Sequence, residues 1–152
     1  MSTFDPDSFL NEEIDGAFST SLEPIPEGEY LAVIGSEEKS VQVRQTNKGS
    51  LILDVTWEIQ DEALFTQLGR TKLTVRQSLF LDTTPNNTLD RSKGKNVQLG
   101  RLRAALGQND PMKPWVFGML KGAGPATIKV TQRPSPDDET IIYNDVRAVT
   151  AA

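Results

Sequence analysis

Hydrophobic and polar residues alternate with a period of two in most of the chain after residue 28. Side chains of a β-strand point alternately to opposite faces, so this alternation predicts half-buried strands. The segments that show it are residues 29–34, 40–44, 51–60, 70–82, 126–133 and 140–149. The first two segments fit one long or bulged strand, or two short strands. The clearest strand is 51–60, where Trp57 shares the apolar face and is expected to pack in the core.

The hydrophobic period changes to that of a helix in residues 96–106, where leucines recur at spacings of three and four. Asn96 is a candidate N-cap for this helix, and Gly107 is a candidate C-terminal stop. The polar residues 83–95 predict a mobile loop in front of the helix. Residues 61–68 are interpreted as a connection between strands.

The order of these elements predicts a mainly β fold. Two or three strands, a basic strand, a helix and two more strands follow one another, which is the order of the OB-fold, a five-stranded Greek-key barrel. We therefore expect a five-stranded OB-fold-like barrel over residues 28–152, with one helix between strands 3 and 4. An acidic, partly disordered arm at residues 1–27 precedes it. The alternation alone also fits another small barrel or a sandwich.

Charge is distributed unevenly along the chain. The whole sequence has a net charge of −5, yet residues 70–133 contain twelve Lys or Arg against three Asp, a formal charge of +9. Residues 1–69 carry −11, and residues 134–152 carry −3. This separation predicts a site for a polyanion in the middle of the chain and an acidic region near its start.

The polar face of the 70–82 strand combines cations, hydroxyl groups and one aromatic ring. Arg70, Lys72, Arg76 and Phe80 all fall on this face. Cations that follow a phosphate backbone, together with aromatic rings that stack on bases, are typical of single-stranded nucleic-acid binding. The alternative is a solvated strand face that carries one isolated Phe.

Other cations and aromatic residues extend this candidate interface. The further candidate nucleic-acid-binding residues are Arg91, Lys93, Lys95, Trp115, Lys121, Lys129, Arg133 and Tyr143. The first three lie in the polar loop, where they could close on a phosphate backbone. Trp115 and Phe117 lie two residues apart, so they either cap the core or form a stacking platform. The 126–133 strand repeats the cation and hydroxyl face of the 70–82 strand.

The arm at residues 1–27 contains seven acids and no Lys or Arg, with apolar residues scattered among them. Part of residues 7–18 is predicted to form a short helix with Phe9, Leu10 and Ile14 on one side. The arm is either a disordered or loosely docked leader, or a segment that docks on partner proteins. In a variant of the second interpretation, it folds over the protein's own basic groove.

Several kinds of chemistry are excluded or unsupported by the sequence. The chain contains no His and no Cys, which removes Ser-His and Cys-His catalysis, disulfides and the commonest transition-metal ligands. No P-loop and no grouped carboxylates are recognisable. We expect a non-catalytic protein without cofactor or metal. No secretory signal or membrane-spanning run is visible, so a cytoplasmic protein without a membrane partner is expected.

The sequence resembles the small single-stranded-DNA-binding proteins that bacteriophages encode. The resemblance rests on the Gly28-Glu-Tyr strand opening, the strand Gly49-Ser-Leu-Ile-Leu-Asp-Val-Thr-Trp-Glu-Ile, the 96–107 helix ending Ala-Ala-Leu-Gly, and the closing Tyr143-Asn-Asp-Val-Arg. It spans about residues 25–149. It implies an OB-fold, binding of single-stranded DNA with little sequence preference, and contacts with replication or recombination proteins. Many bacterial-type proteins of this function end in an acidic tail, whereas the acidic region here is N-terminal.

The leading hypothesis is therefore binding and protection of single-stranded DNA in phage replication or recombination, within the host cytoplasm. A homo-oligomer is compatible with it. Two alternatives remain at this point: a phage structural or assembly protein with a β-barrel core, and an anti-host inhibitor whose acidic arm mimics DNA.

Overall fold

The computed structural model describes residues 3–18 and 22–152, so positions 1–2 and 19–21 of the predicted arm lie outside the described residues. The described residues form six strands and three α-helices. The strands are β1 (Gly28–Ile34), β2 (Val41–Gln45), β3 (Leu51–Ile59), β4 (Thr74–Leu81), β5 (Ala126–Pro134) and β6 (Ile142–Ala151). The helices are α1 (Pro6–Leu10), α2 (Glu62–Leu68) and α3 (Val97–Ala105), and 3-10 turns cover Glu38–Ser40 and Phe117–Leu120. The protein is mainly β, as predicted.

The six strands form one antiparallel sheet with β3 at its centre. β4 pairs along one edge of β3, while β1 and β2 occupy successive parts of its other edge. β5 pairs with β1, and β6 pairs with β5. The sheet therefore places β4 and β6 at its two ends.

The expectation of five strands is corrected to six, because the chain interrupts its first strand at Gly35. The Gly35 N–H donates to the Thr56 carbonyl at 3.1 Å, and the chain then passes through the 3-10 turn before β2. A Cβ atom at this position would collide with the side chains of Ser40 and Glu58. Glycine therefore fits this position, and of the two interpretations left open by the sequence the structure shows the two short strands.

The sheet is open, which corrects the expectation of a closed barrel. β4 and β6 approach each other, but no backbone pairing joins them within the described ranges. A cavity of about 240 Å³ lies along this seam and is lined by residues of β4, α3 and β6. Helix α3 packs against both strands and so covers the seam on one side.

The core consists of the inward-facing side chains of the strands together with α2 and α3. Trp57 is fully buried, and its Nε1–H donates to Gln77 Oε1 at 2.9 Å, so its polar group is satisfied. Leu53, Val55 and Ile128 are fully buried beside it. Each buried apolar side chain of this size contributes about 1.5–3 kcal/mol. This packing fixes which face of each strand remains outside.

Helix α2 occupies the segment interpreted as a connection. Asp61 caps its N-terminus by accepting a hydrogen bond from Leu64 N at 3.1 Å, and Gly69 ends it with a positive φ of 65°. Both capping residues were recognisable signals in the sequence. Leu64 is buried, which attaches the helix to the core.

Helix α3 begins where predicted, but Asn96 does not cap it with its side chain. Instead, Asn96 Oδ1 accepts from Asp82 N at 2.8 Å, and Nδ2 donates to the Asp82 and Asp90 carbonyls at 2.9 and 2.8 Å. The amide therefore joins the two ends of the 83–95 loop. Gly107 follows the helix with a φ of 70°, as expected for its stop.

The predicted arm divides into an exposed part and a docked part. Helix α1 is short, as predicted, but it ends at Leu10 and does not include Ile14, and the apolar side chains from Phe4 to Phe18 are exposed. In contrast, Ile25 is 3% exposed and belongs to the core. Asn144 and Gln132 hydrogen-bond to its backbone at 2.8–2.9 Å. The residues just before β1 are thus packed against the β5–β6 hairpin.

Candidate nucleic-acid interface

The outer face of β2, β3 and β4 carries mostly polar side chains, together with the apolar Ile52 and Phe80. Cross-strand register aligns Arg44 with Ile52 and Ile52 with Phe80, so a cation and an aromatic ring flank one buried apolar residue. Four residues further along β3, the register aligns Thr56 with Arg76. Arg44, Arg76 and Phe80 therefore project from the same face.

Phe80 is the exposed aromatic residue of this face. Its side chain is 70% exposed, although its neighbours Leu79 and Leu81 are buried. A Phe that is this exposed within a strand contributes little to the core. It provides an apolar ring surface on which a planar group can stack.

An acid lies beneath the centre of the face and is neutralised there. Asp54 Oδ2 accepts from Arg44 Nε at 2.7 Å, and Oδ1 accepts from Ser78 Oγ at 2.6 Å. Burial raises the pKa of Asp54, but hydrogen bonds from Ser78 and Arg44 and the charges of Arg44 and Arg76 outweigh it, so this pKa lies below its ordinary value. The Asp54 carboxylate orients Arg44. The positive charge of Arg44 offsets the charge of the carboxylate, so Asp54 does not by itself repel an anionic ligand.

A cleft of about 600 Å³ joins this face to the β5–β6 hairpin. Arg44 and Arg76 line one side, and Arg133, Tyr143 and Asp145 line the other. Three arginines thus converge on one groove with a single aspartate among its lining residues. We call this groove the outer-face cleft. Its excess of positive charge suits an anionic ligand.

The hairpin side of the cleft repeats the pairing of a cation with an aromatic ring. Arg133 Nε donates to Asp145 Oδ2 at 2.6 Å, and its guanidinium lies 5.1 Å from the centre of the Tyr143 ring. Tyr143 is 45% exposed. Ion pairs as exposed as this one are weak, so Arg133 can exchange Asp145 for a phosphate at small cost.

Of the nine predicted basic residues, only Arg76 and Arg133 line the outer-face cleft. Three of the other seven lie on β5 or just before β4. Arg70 precedes β4, and its Nη2 donates to the Glu23 carbonyl at 2.6 Å, which holds the end of the arm. Lys72 also precedes β4 and forms an exposed ion pair with Glu37 at 3.6 Å. Lys129 lies on β5, opposite Glu29 of β1.

The loop cations Arg91, Lys93 and Lys95 are exposed. The loop that carries them is tied together, because Thr83 and Leu89 form a β-bridge and Asn96 binds its two ends. Arg91 lines a cavity with Trp115, away from the outer-face cleft.

The position of Trp115 agrees in part with each of the two roles that the sequence left open, packing on the core and forming a stacking platform. It is half-buried against the core and contacts the edge of Phe117, with 5.0 Å between ring centres. It also lines the cavity that contains Arg91. Lys121 is exposed and follows the 3-10 turn Phe117–Leu120, outside both cavities.

The structure adds two arginines that the sequence did not single out. Arg44 lies outside the basic segment, and its signal was its outward position in the alternating strand beside β3. Arg103 lies in the last turn of α3, and the signal that could have found it was its proximity in sequence to Gly107, where the chain turns towards Trp115. Both are brought into place by tertiary structure.

Within residues 3–18 and 22–152, no cluster of three or more acidic side chains could hold a metal ion. In that same part of the chain, no helix combines the length and apolar character required to cross a membrane. No protein-family model matches the sequence, and no curated protein matches it significantly.

Proposed function

We propose that this chain is a non-catalytic single-stranded-DNA-binding protein of the OB-fold type, acting in phage replication or recombination. Taking β1 and β2 as two halves of one interrupted strand leaves the order of three strands, a helix and two strands that the OB-fold has. The pairing of β3 with both halves and of β1 with β5 supports this assignment. The open seam between β4 and β6 is its main departure from a closed barrel.

The observation that carries the proposal is the outer-face cleft with Phe80 beside it. Arg44, Arg76 and Arg133 would bind successive phosphates, while Phe80 and Tyr143 would stack on bases. Phosphates and the faces of bases are common to every sequence, so such contacts give little sequence preference. This arrangement therefore supports binding that protects a strand rather than reading it.

The acidic arm supports the proposed contacts with replication or recombination proteins. Its apolar side chains, including Phe9 and Ile14, are exposed and lie among carboxylates. A segment of this kind can fold against the apolar and basic surface of another protein.

Fluorescence anisotropy with a labelled oligo-dT strand tests the proposal. We expect salt-sensitive binding that the double variant Arg76→Gln/Phe80→Ala weakens by at least about tenfold, since one phosphate contact and one stacked base are lost. The same titration with oligo-rU determines whether the strand must be DNA.

Lys129→Gln provides the comparison, because it also removes an exposed cation from a strand but lies outside the cleft. Its effect should be smaller than that of Arg76→Gln. Absence of binding by the wild-type protein, or equal losses in both single variants, would contradict the proposed site. A closed ring or filament without nucleic acid, seen by light scattering, would instead favour an assembly protein.

A further inference from the structure

A second cavity, separate from the outer-face cleft, is lined by cations and a tryptophan. Its volume is about 480 Å³, and the two cavities share no lining residue. Arg91 comes from the loop after β4, Arg103 from the last turn of α3, and Lys113 from the segment after α3. Three parts of the chain thus contribute one cation each beside Trp115.

Trp115 is held in place on three sides. Its Nε1–H donates to Gln108 Oε1 at 2.9 Å, and Phe117 contacts it edge-on. The guanidinium of Arg103 lies 4.4 Å from the centre of its ring. The indole is therefore fixed before any ligand arrives, which reduces the entropy lost on binding.

Gln108 holds Arg103 as well as Trp115. Gly107 has a φ of 70° and turns the chain out of α3, so that the Gln108 carbonyl accepts from Arg103 Nε at 3.1 Å. The Gln108 side chain also donates to the Met119 carbonyl at 2.9 Å. Among residues 3–18 and 22–152, no hydrogen bond engages the two terminal nitrogens of Arg103, so they are available to a ligand.

The acid of this cavity has a structural role. Asp110 Oδ1 accepts from Met112 N at 2.9 Å, and the Asp110 carbonyl accepts from Lys113 N at 3.2 Å. These bonds close the turn that presents Lys113. Within the described part of the chain, no salt bridge joins Asp110 to Arg91, Arg103 or Lys113. Three cations face this one acid, so the lining of the cavity has an excess of positive charge.

We propose that this second cavity binds one nucleotide unit through both its phosphate and its base. Arg91, Arg103 and Lys113 bind the phosphate, and the accessible surface of Trp115 packs against the base. The inference rests on the proposed function for its class of ligand, but it concerns a different cavity. The unit can come from a bound strand or from a free nucleotide, and the experiment separates these sources.

The indole N–H signals of the ¹⁵N-labelled protein test the inference. The chain has two tryptophans, and Trp57 is buried, so its signal reports on the intact core while Trp115 reports on the cavity. Trp115→Phe assigns the two signals. Thymidine 5′-monophosphate, thymidine, inorganic phosphate and oligo-dT are titrated separately.

We expect a saturable shift of the Trp115 signal with the monophosphate, with oligo-dT, or with both. Response to the monophosphate indicates a free-nucleotide site, and response to oligo-dT alone indicates a continuation of the strand. Arg91→Gln/Lys113→Gln should weaken this response by about tenfold or more, because two charge-assisted contacts are lost and neither residue stacks on Trp115. The matched variant Arg101→Gln/Arg147→Gln removes the same charge from the seam and should change it by less than about twofold.

Three results would overturn the inference. The first is that the Trp115 signal shows no saturable response to either nucleotide ligand. The second is that phosphate alone or thymidine alone binds with the same affinity as the nucleotide ligand. The third is that the two double variants weaken the response equally. Repeating the titrations in Arg76→Gln/Phe80→Ala keeps the two proposals apart. If the monophosphate binds the second cavity but strand binding is unchanged in Arg76→Gln/Phe80→Ala, the proposed function is contradicted and the inference about the second cavity is supported. If Arg76→Gln/Phe80→Ala weakens strand binding but the Trp115 signal shifts with neither nucleotide ligand, the proposed function is supported and the inference about the second cavity is contradicted.

Discussion

Arg44 and Asp54 form an ion pair across β2 and β3, with 2.7 Å between Arg44 Nε and Asp54 Oδ2. The side chain of Asp54 is 10% exposed, whereas that of Arg44 is 50% exposed. The carboxylate therefore belongs to the sheet, and the guanidinium reaches the surface. This arrangement orients a cation on the face that we propose binds nucleic acid.

Replacing Asp54 by Asn should lower the free energy of unfolding by about 1–2 kcal/mol, because charge-assisted hydrogen bonds from Arg44 and Ser78 are weakened. The value is moderate because solvent screens the exposed guanidinium. Asp145→Asn is the matched control: its pair with Arg133 has a similar distance of 2.6 Å, but Asp145 is 42% exposed. Asp145→Asn should lower the free energy of unfolding by no more than about 0.5–1 kcal/mol. Urea unfolding of the three proteins measures both effects, and equal losses would contradict this account.

The stabilisation by Asp54 should depend on pH in the acid range. Because its pKa is lower in the folded protein than in the unfolded chain, the stabilisation is fully present above the unfolded pKa of about 3.9. It is lost as the pH falls through the lower folded pKa. The difference in unfolding free energy between wild type and Asp54→Asn should therefore be constant from pH 7 to 5 and shrink below pH 4. A difference that stays constant down to pH 3 would argue against a lowered pKa.

Phe80 and Leu79 are adjacent in β4 but should respond differently to truncation. Phe80→Ala should weaken oligo-dT binding by about 1–3 kcal/mol, since one stacked base is lost, and should leave stability nearly unchanged. Leu79→Ala removes a buried side chain and should lower stability by about 2–5 kcal/mol. Thermal unfolding and anisotropy measured on both variants check the assignment. A large loss of stability in Phe80→Ala would show that the ring packs against the protein instead of being free to stack on a base.

The salt dependence of binding should report the phosphate contact of Arg76. Each phosphate contact on a single strand contributes about 0.7 to the slope of log K against log salt. Arg76→Gln should therefore reduce the magnitude of this slope by about 0.7, while Lys129→Gln should reduce it less. Anisotropy titrations from 50 to 300 mM salt, with about five concentrations, give the slopes. An unchanged slope in Arg76→Gln would remove this residue from the interface.

Ile25 should be essential to the fold although it precedes the first strand. Ile25→Ala is expected to lower the unfolding free energy by about 2–4 kcal/mol, because the side chain lies in the core. Leu22→Ala, three residues earlier, removes an exposed side chain and should have an effect below about 0.5 kcal/mol. Urea unfolding distinguishes the two, and similar values for both would contradict the docking of Ile25.

Most strands and the helix before Gly107 could be predicted from local sequence patterns. The alternation in residues 51–59 correctly predicted which side of β3 faces the core, because apolar residues on one side of a strand recur with a period of two. It did not predict that Ile52 and Asp54, on the other side, are also buried. The helix ending at Gly107 was recognisable for a similar reason. Helix α2 was missed because its buried stripe is short, although Asp61 and Gly69 cap it in a recognisable way.

Tertiary relationships were harder to predict. Arg70 and Lys129 have the same charge as Arg76 and a similar place in an alternating segment, yet the first binds the arm and the second faces Glu29. Strand register decides the position of Lys129, and the packing of the arm decides that of Arg70; no single segment encodes either. The same reason explains why Arg103 was not linked to Trp115: the contact depends on how the chain turns after α3.

The seam between β4 and β6 has a mechanical consequence. The outer-face cleft is lined by β4 on one side and by β6 on the other, and these strands share no backbone hydrogen bonds within residues 3–18 and 22–152. Its width is therefore governed by side-chain packing under α3, not by a rigid ladder. If the proposed function holds, we predict that this groove accommodates purines and pyrimidines by rearranging side chains, without any change in strand pairing.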